Sequence, residues 1–266
     1  MKIVCLKGGL GNQMFEYCRY RMLLDRSRQS VFIFYNNWQL KQHQHILMSN
    51  CFNVSLSHCP VWVSAVTYLL MLCRRLNILS HLYDDERDDC ILIDDFSQDR
   101  KFIQNAKSLL TFRPAVSDES APYQTLIRQA HYPVAIHVRR GDYLQADNLR
   151  DFGLCGTEYY QQAISRITAL HSEAQFFLFS DDIEWTKQYI TPQNAVYVQH
   201  EENVPDYVDL YLMTLCKAHI IANSTFSFWG SILADHAEHL CIYPKRWFAN
   251  PQWTAPDIFP SHWTAL

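Results

Sequence analysis

Short runs of β-branched and aromatic residues alternate with longer segments of helical periodicity along the whole of this 266-residue sequence. This alternation predicts parallel sheets covered by helices, because a crossover helix returns the chain to the start of a neighbouring parallel strand. The predicted fold class is therefore α/β. The predicted strands are 3–6, 31–35, 91–93, 134–138, 176–179, 196–198, 219–222 and 241–243, and the predicted helices are 13–26, 62–76, 101–110, 158–170, 183–190, 206–216 and 228–236.

The alternation in the second half of the chain is Rossmann-like, and a break between the two halves is expected in segment 112–122. That segment contains two prolines, two serines and two acidic residues without periodicity, which is typical of a linker. We place the domain boundary near residue 120, giving an N-terminal domain 1–120 and a C-terminal domain 121–250. The tail 251–266 is expected to pack back on the first domain.

The composition excludes several classes of protein. Apolar residues make up 48% of the chain and charged residues 19%, which excludes a disordered protein. The net charge of -4, with no basic cluster, argues against a nucleic-acid partner. The nine cysteines are odd in number and irregularly spaced, so we interpret them as reduced, mostly buried thiols.

The start of the chain passes directly into a strand and a glycine-rich loop, which leaves no room for a signal peptide. A cytoplasmic protein is therefore expected. The most apolar stretch, 61–72, is shorter than the roughly 20 residues that span a bilayer. It predicts a core or interfacial helix, with at most peripheral contact at the inner face of a membrane.

Four segments place small, polar or charged residues just after a predicted strand, where open α/β sheets bind ligands. The first, the glycine-rich segment 7–13, brings backbone amides to a helix N-terminus that suits an anion or a sugar, although a plain strand-to-helix turn has the same pattern. In the second, Arg139 and Arg140 emerge from a buried strand. They are suited to a phosphate or, alternatively, to ion pairs with Asp142 or Asp147.

The third segment ends a strand with Ser180, Asp181 and Asp182. Carboxylates at this position can accept hydrogen bonds from a nucleoside, and the same residues can also cap the following helix. The fourth segment, 220–231, places several hydroxyls before a helix, a pattern typical of an anion site.

Metal binding has little support in the sequence, which contains no Asp-x-Asp triplet, no His-Glu-x-x-His motif and no cysteine and histidine residues at zinc spacing. We interpret the acidic pairs at 84–85, 88–89 and 94–95 as a solvated edge. Two arginines and a helix N-terminus can neutralise a pyrophosphate instead. Neither a metal nor any other cofactor is expected.

Taken together, four blocks resemble the signature of the α1,2-fucosyltransferase family and occur in that family's order. They are GGLGNQM (8–14), HVRRGDY (137–143), FSDD (179–182) and NSTFSFWG (223–230). The second and fourth blocks together are highly specific, whereas the other two are weak individually. The resemblance implies a GT-B-like arrangement of two Rossmann-like domains with parallel sheets facing across a cleft. The first domain would lie on the acceptor side, and the second would bind GDP-fucose.

The resemblance also implies roles for individual residues. Arg139, helped by Arg140, would bind the donor pyrophosphate and stabilise the departing GDP. Further donor contacts are implied for Asp181, Asp182, Asn223, Ser224, Thr225 and Phe226, and a place in the substrate cleft for Gly9, Gly11, Asn12 and Gln13. The general base stays open between Asp142, His137 and an acidic residue of the first domain.

The implied reaction is a metal-independent single displacement with inversion, which turns GDP-β-L-fucose into an α-fucoside on a galactoside. The expected acceptor is a galactose-containing oligosaccharide or lipid-linked glycan, and the expected product is an α1,2 linkage in a bacterial surface glycan of the O-antigen kind. The alternatives are a fucosyltransferase of α1,6 or protein O-linked type, or a non-catalytic nucleotide-sugar or glycan-binding protein. A glycoside hydrolase is disfavoured, because the adjacent Asp181 and Asp182 face opposite sides of a strand end.

Overall fold

The structure, a computed structural model, describes residues 1–36, 48–83, 89–201, 203–236 and 239–266. It divides into two compact units, Met1–Arg113 and Pro114–Leu266. Each unit contains a parallel sheet with helices, which confirms the predicted α/β class.

The described part of the first unit contains a three-stranded parallel sheet in the order β2-β1-β3. The strands are β1 (Lys2–Cys5), β2 (Val31–Phe34) and β3 (Leu92–Ile93), the α-helices are α1 (Leu10–Arg26), α2 (Val61–Arg75) and α3 (Ala106–Leu109), and 3₁₀ turns lie at Met48–Asn50, Ser80–Leu82 and Arg100–Phe102. Along β1, Ile3 packs with Val63 of α2, whereas Val4 packs with Leu23 of α1. Helices therefore cover both faces of the sheet and leave its carboxyl edge for the glycine-rich loop.

One predicted helix of this unit, 101–110, is two shorter elements in the structure. A 3₁₀ turn begins after Asp99, whose carboxylate accepts a hydrogen bond from the Lys101 amide at 2.8 Å. The second element, α3, begins only after Asn105. Capping at Asp99 and the break at Asn105 together interrupt the helical run that the periodicity predicts.

The predicted linker also differs from the structure. Segment 112–122 contains helix α4 (Pro114–Glu119) and the start of helix α5 (Ala121–Gln129), and the division between the units falls at Arg113 and Pro114 instead of near residue 120. Both prolines occupy the first turn of a helix, where a missing backbone N–H costs no hydrogen bond. The two prolines that led to the prediction of a linker therefore lie at the starts of helices.

The second unit contains a six-stranded parallel sheet among its described residues, in the order β6-β5-β4-β7-β8-β9. The strands are β4 (Tyr132–Val138), β5 (Ala174–Ser180), β6 (Ala195–Tyr197), β7 (Ala218–Ile220), β8 (Leu240–Tyr243) and β9 (Thr264–Ala265), and the remaining helices are α6 (Ala146–Asp151), α7 (Thr157–Leu170), α8 (Ile183–Tyr189), α9 (Tyr207–Thr214) and α10 (Thr225–Ile232). The first strand lies in the centre, the next two extend to one side and the last three to the other. This is the order of a doubly wound Rossmann sheet.

The core of this unit lies on both faces of β4 and β5. Ile136 packs with Tyr160 of α7 on one face, and Phe177 packs with Leu212 of α9 on the other. Strands buried on both faces explain why this part of the sequence shows nearly continuous apolar runs.

The tail 251–266 belongs to the second unit, which corrects the expectation that it packs on the first domain. Its last residues form β9, which pairs in parallel with β8. The side chains of Ile258 and Trp263 are buried, and Trp263 packs with Phe228 of α10 at a ring distance of 5.5 Å. Aromatic packing and strand pairing, both invisible to local periodicity, hold the tail in place.

No disulfide joins any of the nine cysteines, and seven of them are buried. Among the described residues, no helix is both long and apolar enough to cross a membrane.

Candidate functional site

The candidate site lies where the strand order of the second sheet reverses, between β4 and β7. Val138 at the end of β4 pairs with Ser180 of β5, so the residues that follow these two strands emerge side by side. On its other flank β4 pairs with β7, which leads into segment 221–224. Three of the four sequence blocks are thus brought to one carboxyl edge, at the topological switch point where open α/β sheets bind ligands.

Arg139 is held between two carboxylates at this edge. Its Nη2 lies 2.6 Å from Oδ1 of Asp142, and its Nη1 lies 2.9 Å from Oδ2 of Asp181. The guanidinium carbon also lies 5.4 Å from the ring centre of Tyr143. With 29% of its side chain exposed, Arg139 is fixed in place and still accessible to an anion.

Arg140 is held more tightly than Arg139. Its Nε donates a hydrogen bond to Asp182 at 3.0 Å, its backbone N–H donates to Asp181 at 2.8 Å, and its guanidinium stacks 3.8 Å above the ring of Trp185. Only 16% of the side chain is exposed. These contacts favour Arg139 over Arg140 as the principal anion-binding group.

Asp181 and Asp182 orient the two arginines in this structure. Asp182 also caps helix α8, where its Oδ1 accepts a hydrogen bond from the amide of Trp185. The structure therefore confirms the helix cap, one of the two sequence interpretations of this segment. The nucleoside contact that the resemblance implies for them stays a prediction.

Gly141 allows the carboxylate of Asp181 to come close to the backbone. A β-carbon at this position would lie 2.7 Å from Oδ2 of Asp181, the same atom that pairs with Arg139. We expect Gly141→Ala to push Asp181 away from Arg139 and, in the transfer reaction that the sequence blocks imply, to lower turnover by up to about 10²-fold, the effect of a misplacement of about 1 Å. Steady-state kinetics test this. Gly156→Ala, where a β-carbon meets nothing within 4 Å, is the control for the change of residue type and should lose less activity than Gly141→Ala.

His137 is a buried, uncharged group beneath the arginines. Its side chain packs 5.7 Å from the ring centre of Phe226, and its Nδ1 has no hydrogen-bond partner among the described residues. The pKa of His137 is lowered from 6.5 to about 4, mainly by burial; the charge of Asp181 opposes this shift and that of Arg139 adds to it. His137 is therefore neutral at pH 7 and a weak proton acceptor.

This lowered pKa predicts how stability changes with pH. Between pH 6.5 and 4 the unfolded chain binds more protons at His137 than the folded protein does, so its stabilising contribution is complete above pH 6.5 and is lost as the pH falls towards 4. Relative to the untitratable variant His137→Leu, we expect the wild type to lose up to about 1.4 kcal/mol of unfolding free energy per pH unit in this window. Urea unfolding at a series of pH values measures the difference, and parallel curves would contradict the prediction.

Asn223 is a buried support for the site. Its side-chain nitrogen donates to three backbone carbonyls, those of Phe152 at 2.9 Å, Gly153 at 3.4 Å and Trp247 at 3.2 Å. Its backbone carbonyl oxygen accepts a hydrogen bond from the hydroxyl of Tyr143 at 3.2 Å, and its side-chain oxygen accepts one from the thiol of Cys155 at 3.5 Å. The contact with GDP-fucose that the resemblance implies for Asn223 stays a prediction.

The start of helix α10 lies beside Asn223. Ser224 is its N-cap, and its hydroxyl accepts a hydrogen bond from the amide of Phe226 at 3.3 Å. The helix begins at Thr225, three residues earlier than the predicted start at 228, because the capping hydroxyl allows an earlier first turn. Thr225 and Phe226 are half-buried at this helix N-terminus.

A pocket of about 290 Å³ adjoins the Asn223 support. It is lined by loop 152–156, Tyr159, Asn223, Pro244, Arg246, Ala249 and Leu266. Phe152, one of the lining residues, stacks on Tyr143 at 5.1 Å, so a continuous set of side chains joins the pocket to Arg139. Its size approaches that of small-molecule sites. The sequence offers no local signal for this pocket, because four separate segments form it.

The glycine-rich loop belongs to the first unit, where the structure separates the four predicted cleft residues. Gly9 and Asn12 are half-exposed, whereas Gly11 and Gln13 are buried. Gln13 bridges two backbone groups by donating to the Gly8 carbonyl at 3.0 Å and accepting from the Met48 amide at 3.1 Å. The prediction that Gln13 lines the substrate cleft is therefore wrong, because its side chain fixes the loop from inside.

Sequence reasoning missed the charged network that supports this loop. The Lys7 amide donates to Oε2 of Glu16 at 2.8 Å, and burial raises the pKa of Glu16 well above its usual range. Asp94 pairs with Lys7, and Asp95 pairs with Arg19, each at 2.8 Å. The expected solvated acidic edge is thus wrong for positions 94–95, while 84, 85 and 88 lie outside the described residues. Only the position of Lys7, directly after the predicted strand 3–6, pointed to such a role.

Within the described ranges, no group of three or more histidine, cysteine or acidic side chains is arranged to hold a metal ion.

The sequence profile of glycosyl transferase family 11 matches residues 119–266, more than half of the chain. The chain therefore belongs to glycosyl transferase family 11. It is 28% identical to an alpha-1,2-colitosyltransferase of Escherichia coli, over 98% of this chain and 97% of that protein. It is 26% identical to the human galactoside alpha-(1,2)-fucosyltransferase 1, over 97% of this chain and 75% of that protein.

Among solved structures, the fold is similar to that of the fucosyltransferase NodZ from Bradyrhizobium. The TM-score is 0.59 at 14% sequence identity, covering 87% of this chain and 92% of that one. This likeness concerns the fold alone, and with the parallel α/β sheets of both units it confirms the predicted GT-B class.

Proposed function

We propose that this protein is an inverting glycosyltransferase that moves L-fucose from GDP-β-L-fucose to a hydroxyl of a galactoside and forms an α1,2 linkage. Membership of glycosyl transferase family 11 and the similarity to an α1,2-fucosyltransferase support this activity. The observation that carries the mechanism is the position of Arg139, held between Asp142 and Asp181 at the switch point of the second sheet.

The chemistry asks for a fixed cation next to the leaving group. As the bond between the fucose C1 and the β-phosphate oxygen breaks, negative charge develops on that phosphate and positive charge on the sugar ring. A guanidinium already oriented by the carboxylate of Asp181 stabilises the developing charge without reorganising at the moment of reaction. The amides at the start of helix α10 offer a second set of donors to the diphosphate.

The donor has to compete for Arg139, because two arginines face three carboxylates at this edge. Asp142 is the weaker competitor: 40% of its side chain is exposed, against 26% for Asp181, which is also held by the backbone amide of Arg140. We propose that the β-phosphate takes the place of Asp142 on Arg139. The released carboxylate is then able to accept the proton of the acceptor hydroxyl while the acceptor oxygen bonds to C1.

Asp142→Asn tests this exchange. Removal of the competing charge should tighten GDP binding severalfold, since an opposite charge at contact distance is worth about 1 kcal/mol near a protein surface. Turnover should fall at least tenfold, because an amide accepts no proton at neutral pH. Calorimetric titration with GDP and the rate of product formation measure the two effects. Weaker GDP binding would instead mean that Asp142 serves mainly to orient Arg139.

A related donor is a second candidate, because the E. coli relative at 28% identity is a colitosyltransferase. Colitose differs from fucose by the absence of one ring hydroxyl. A pocket that hydrogen-bonds this hydroxyl would discriminate strongly against the deoxy sugar, whereas an apolar contact would not. The two donors therefore have to be compared directly.

The experiment supplies the purified protein with GDP-fucose or GDP-colitose and a panel of β-galactosides, with EDTA present throughout. An α1,2-fucosylated product with release of GDP supports the proposed activity and its metal independence. Transfer of colitose alone would show that the donor is GDP-colitose and not GDP-fucose. An α1,6 or protein-linked product would show that the proposed α1,2 linkage is wrong. GDP binding without transfer to any acceptor would favour a nucleotide-sugar-binding protein.

The acceptor is proposed to approach the half-exposed residues of the glycine-rich loop, Gly9 and Asn12. We further propose a cytoplasmic role in assembling a bacterial surface glycan of the O-antigen kind, on a free or lipid-linked oligosaccharide. The similarity to a bacterial α1,2-glycosyltransferase along nearly the whole chain supports this context.

A further inference from the structure

Helix α2 of the first unit is apolar on two opposite sides. One side is buried, where Val63 and Leu70 pack with Ile3 and Phe34 of the sheet. The other side carries large apolar residues that point to solvent. A helix of a soluble domain normally presents charged or polar side chains there.

The solvent side of α2 and its C-cap forms an apolar face made of Val61, Trp62, Tyr68, Leu69, Leu72 and Leu76, each between 53% and 87% exposed. At 3.6 residues per turn these six positions fall within an arc of about 120°. The exposed chain continues with Ile78 and Leu79. Contiguous exposure on this scale marks an interaction surface, since single exposed leucines are scattered over most proteins.

Two aromatic residues of the apolar face also pack against strand β2 of the first unit. Trp62 packs edge-on against Phe32 at 5.6 Å, and Tyr68 packs edge-on against Phe34 at 5.4 Å. More than half of each side chain still faces solvent. The face is therefore preorganised, with tryptophan and tyrosine presented in the way that suits the boundary between water and lipid.

The charge of the surrounding sequence is strongly segregated. Residues 26–83 contain five lysine and arginine residues and no acidic residue, whereas the other 208 residues hold all 27 acidic residues and 18 basic ones. The apolar face thus lies in a cationic segment of an otherwise acidic chain. Arg75 lies exposed in the last turn of α2, next to the apolar face.

We propose that the apolar face of α2 docks this protein on the surface of an anionic lipid bilayer. The helix would lie in the plane of the interface, with Leu69 and Leu72 among the acyl chains and Arg75 at the lipid phosphates. A peripheral position of this kind needs no membrane-spanning helix. Helix α2 itself contains no carboxylate and two arginines, of which Arg74 pairs with Asp94 at 2.8 Å and Arg75 is exposed, and this favours a negatively charged bilayer over an acidic-and-basic protein surface as the partner.

Flotation with two kinds of vesicle tests this docking surface, one of phosphatidylcholine alone and one of an equimolar mixture with phosphatidylglycerol. The full chain should bind the anionic vesicles, and high salt should weaken the binding. The double variant L69S/L72S should bind the anionic vesicles at least roughly tenfold more weakly than the wild type does. Arg75→Gln should lose on the order of fivefold on anionic vesicles only.

The matched control is L149S/L170S, two exposed leucines of the second unit, which should bind as the wild type does. Thermal melting checks that the variants are folded, and Arg75→Gln gives an independent readout if the leucine variant is unstable. Equal loss in the control, or no binding of the wild type to anionic vesicles, would overturn the proposal. A wild-type dimer in light scattering that L69S/L72S converts to a monomer would overturn it too, because a second copy would then be the occupant of the face.

Discussion

Replacing Arg139 by alanine is expected to lower the rate of fucosyl transfer by on the order of 10²–10³, the loss typical when one oriented donor to a developing negative charge is removed. The effect should appear mainly in turnover, because the charge on the β-phosphate is greatest as the sugar departs. Arg139→Lys should recover little of the rate. A lysine ammonium is a single compact charge and cannot contact Asp181 and the β-phosphate at once, as the forked guanidinium is able to do.

Arg150 provides a matched control in the same unit. It also pairs with two carboxylates, those of Asp147 and Asp151, each at 2.9 Å, but 65% of its side chain is exposed. Arg150→Ala should retain the rate of the wild type, since exposed ion pairs contribute little. If the alanine variants at 139 and 150 lost activity equally, or if Arg139→Ala stayed fully active, the proposed role of Arg139 would be wrong.

The second large effect is expected at Asn223, in the stability of the fold. Asn223→Ala removes the side-chain donor from three backbone carbonyls, of which that of Phe152 still accepts from the Ala249 amide at 3.1 Å, and Asn223 itself is only 4% exposed. Each buried carbonyl that loses its partner costs about 1–3 kcal/mol, and water will hydrate some of them. We expect a loss of about 2–5 kcal/mol in the free energy of unfolding, measured by urea denaturation.

Asn223→Asp should be at least as destabilising, because it places a carboxylate against the same carbonyl oxygens. The control is Asn250→Ala at a half-buried position, which removes a side-chain hydrogen bond to Asp151 and a solvent-exposed one from the Gln252 amide. That variant should lose less than about 1 kcal/mol. Equal stability of the two alanine variants would show that the amide of Asn223 does not hold the loop at 152–153.

Local patterns in the sequence determined a large part of this protein. Strand and helix periodicity is a property of neighbouring residues, so the α/β class and the strands β4 and β5 could be predicted within a few residues of their ends. The same reasoning placed Arg139, Asp181 and Ser224 just after strands, which is where the structure has them. The blocks 137–143 and 223–230 were also the two whose resemblance to the family signature is most specific.

The tertiary structure alone decided which of these residues meet. Val138 pairs with Ser180, and β4 lies between β5 and β7, and no periodicity encodes either fact because strand order depends on contacts between distant parts of the chain. That pairing sets Asp181 against Arg139. The carboxylate of Asp181 is thereby paired with an arginine, and the position of Asp181 in the sequence does not reveal this pairing.

The tertiary structure also decided which side chains are buried. Gln13 has a polar side chain of the kind that binds ligands, but it lies inside the first unit. Leu69 and Leu72 have apolar side chains typical of a protein core, but they face solvent. Side-chain chemistry alone does not specify which side of a helix meets the sheet, because α2 is apolar on both sides. The packing of Val63 and Leu70 against the sheet chose the buried side and left the other exposed.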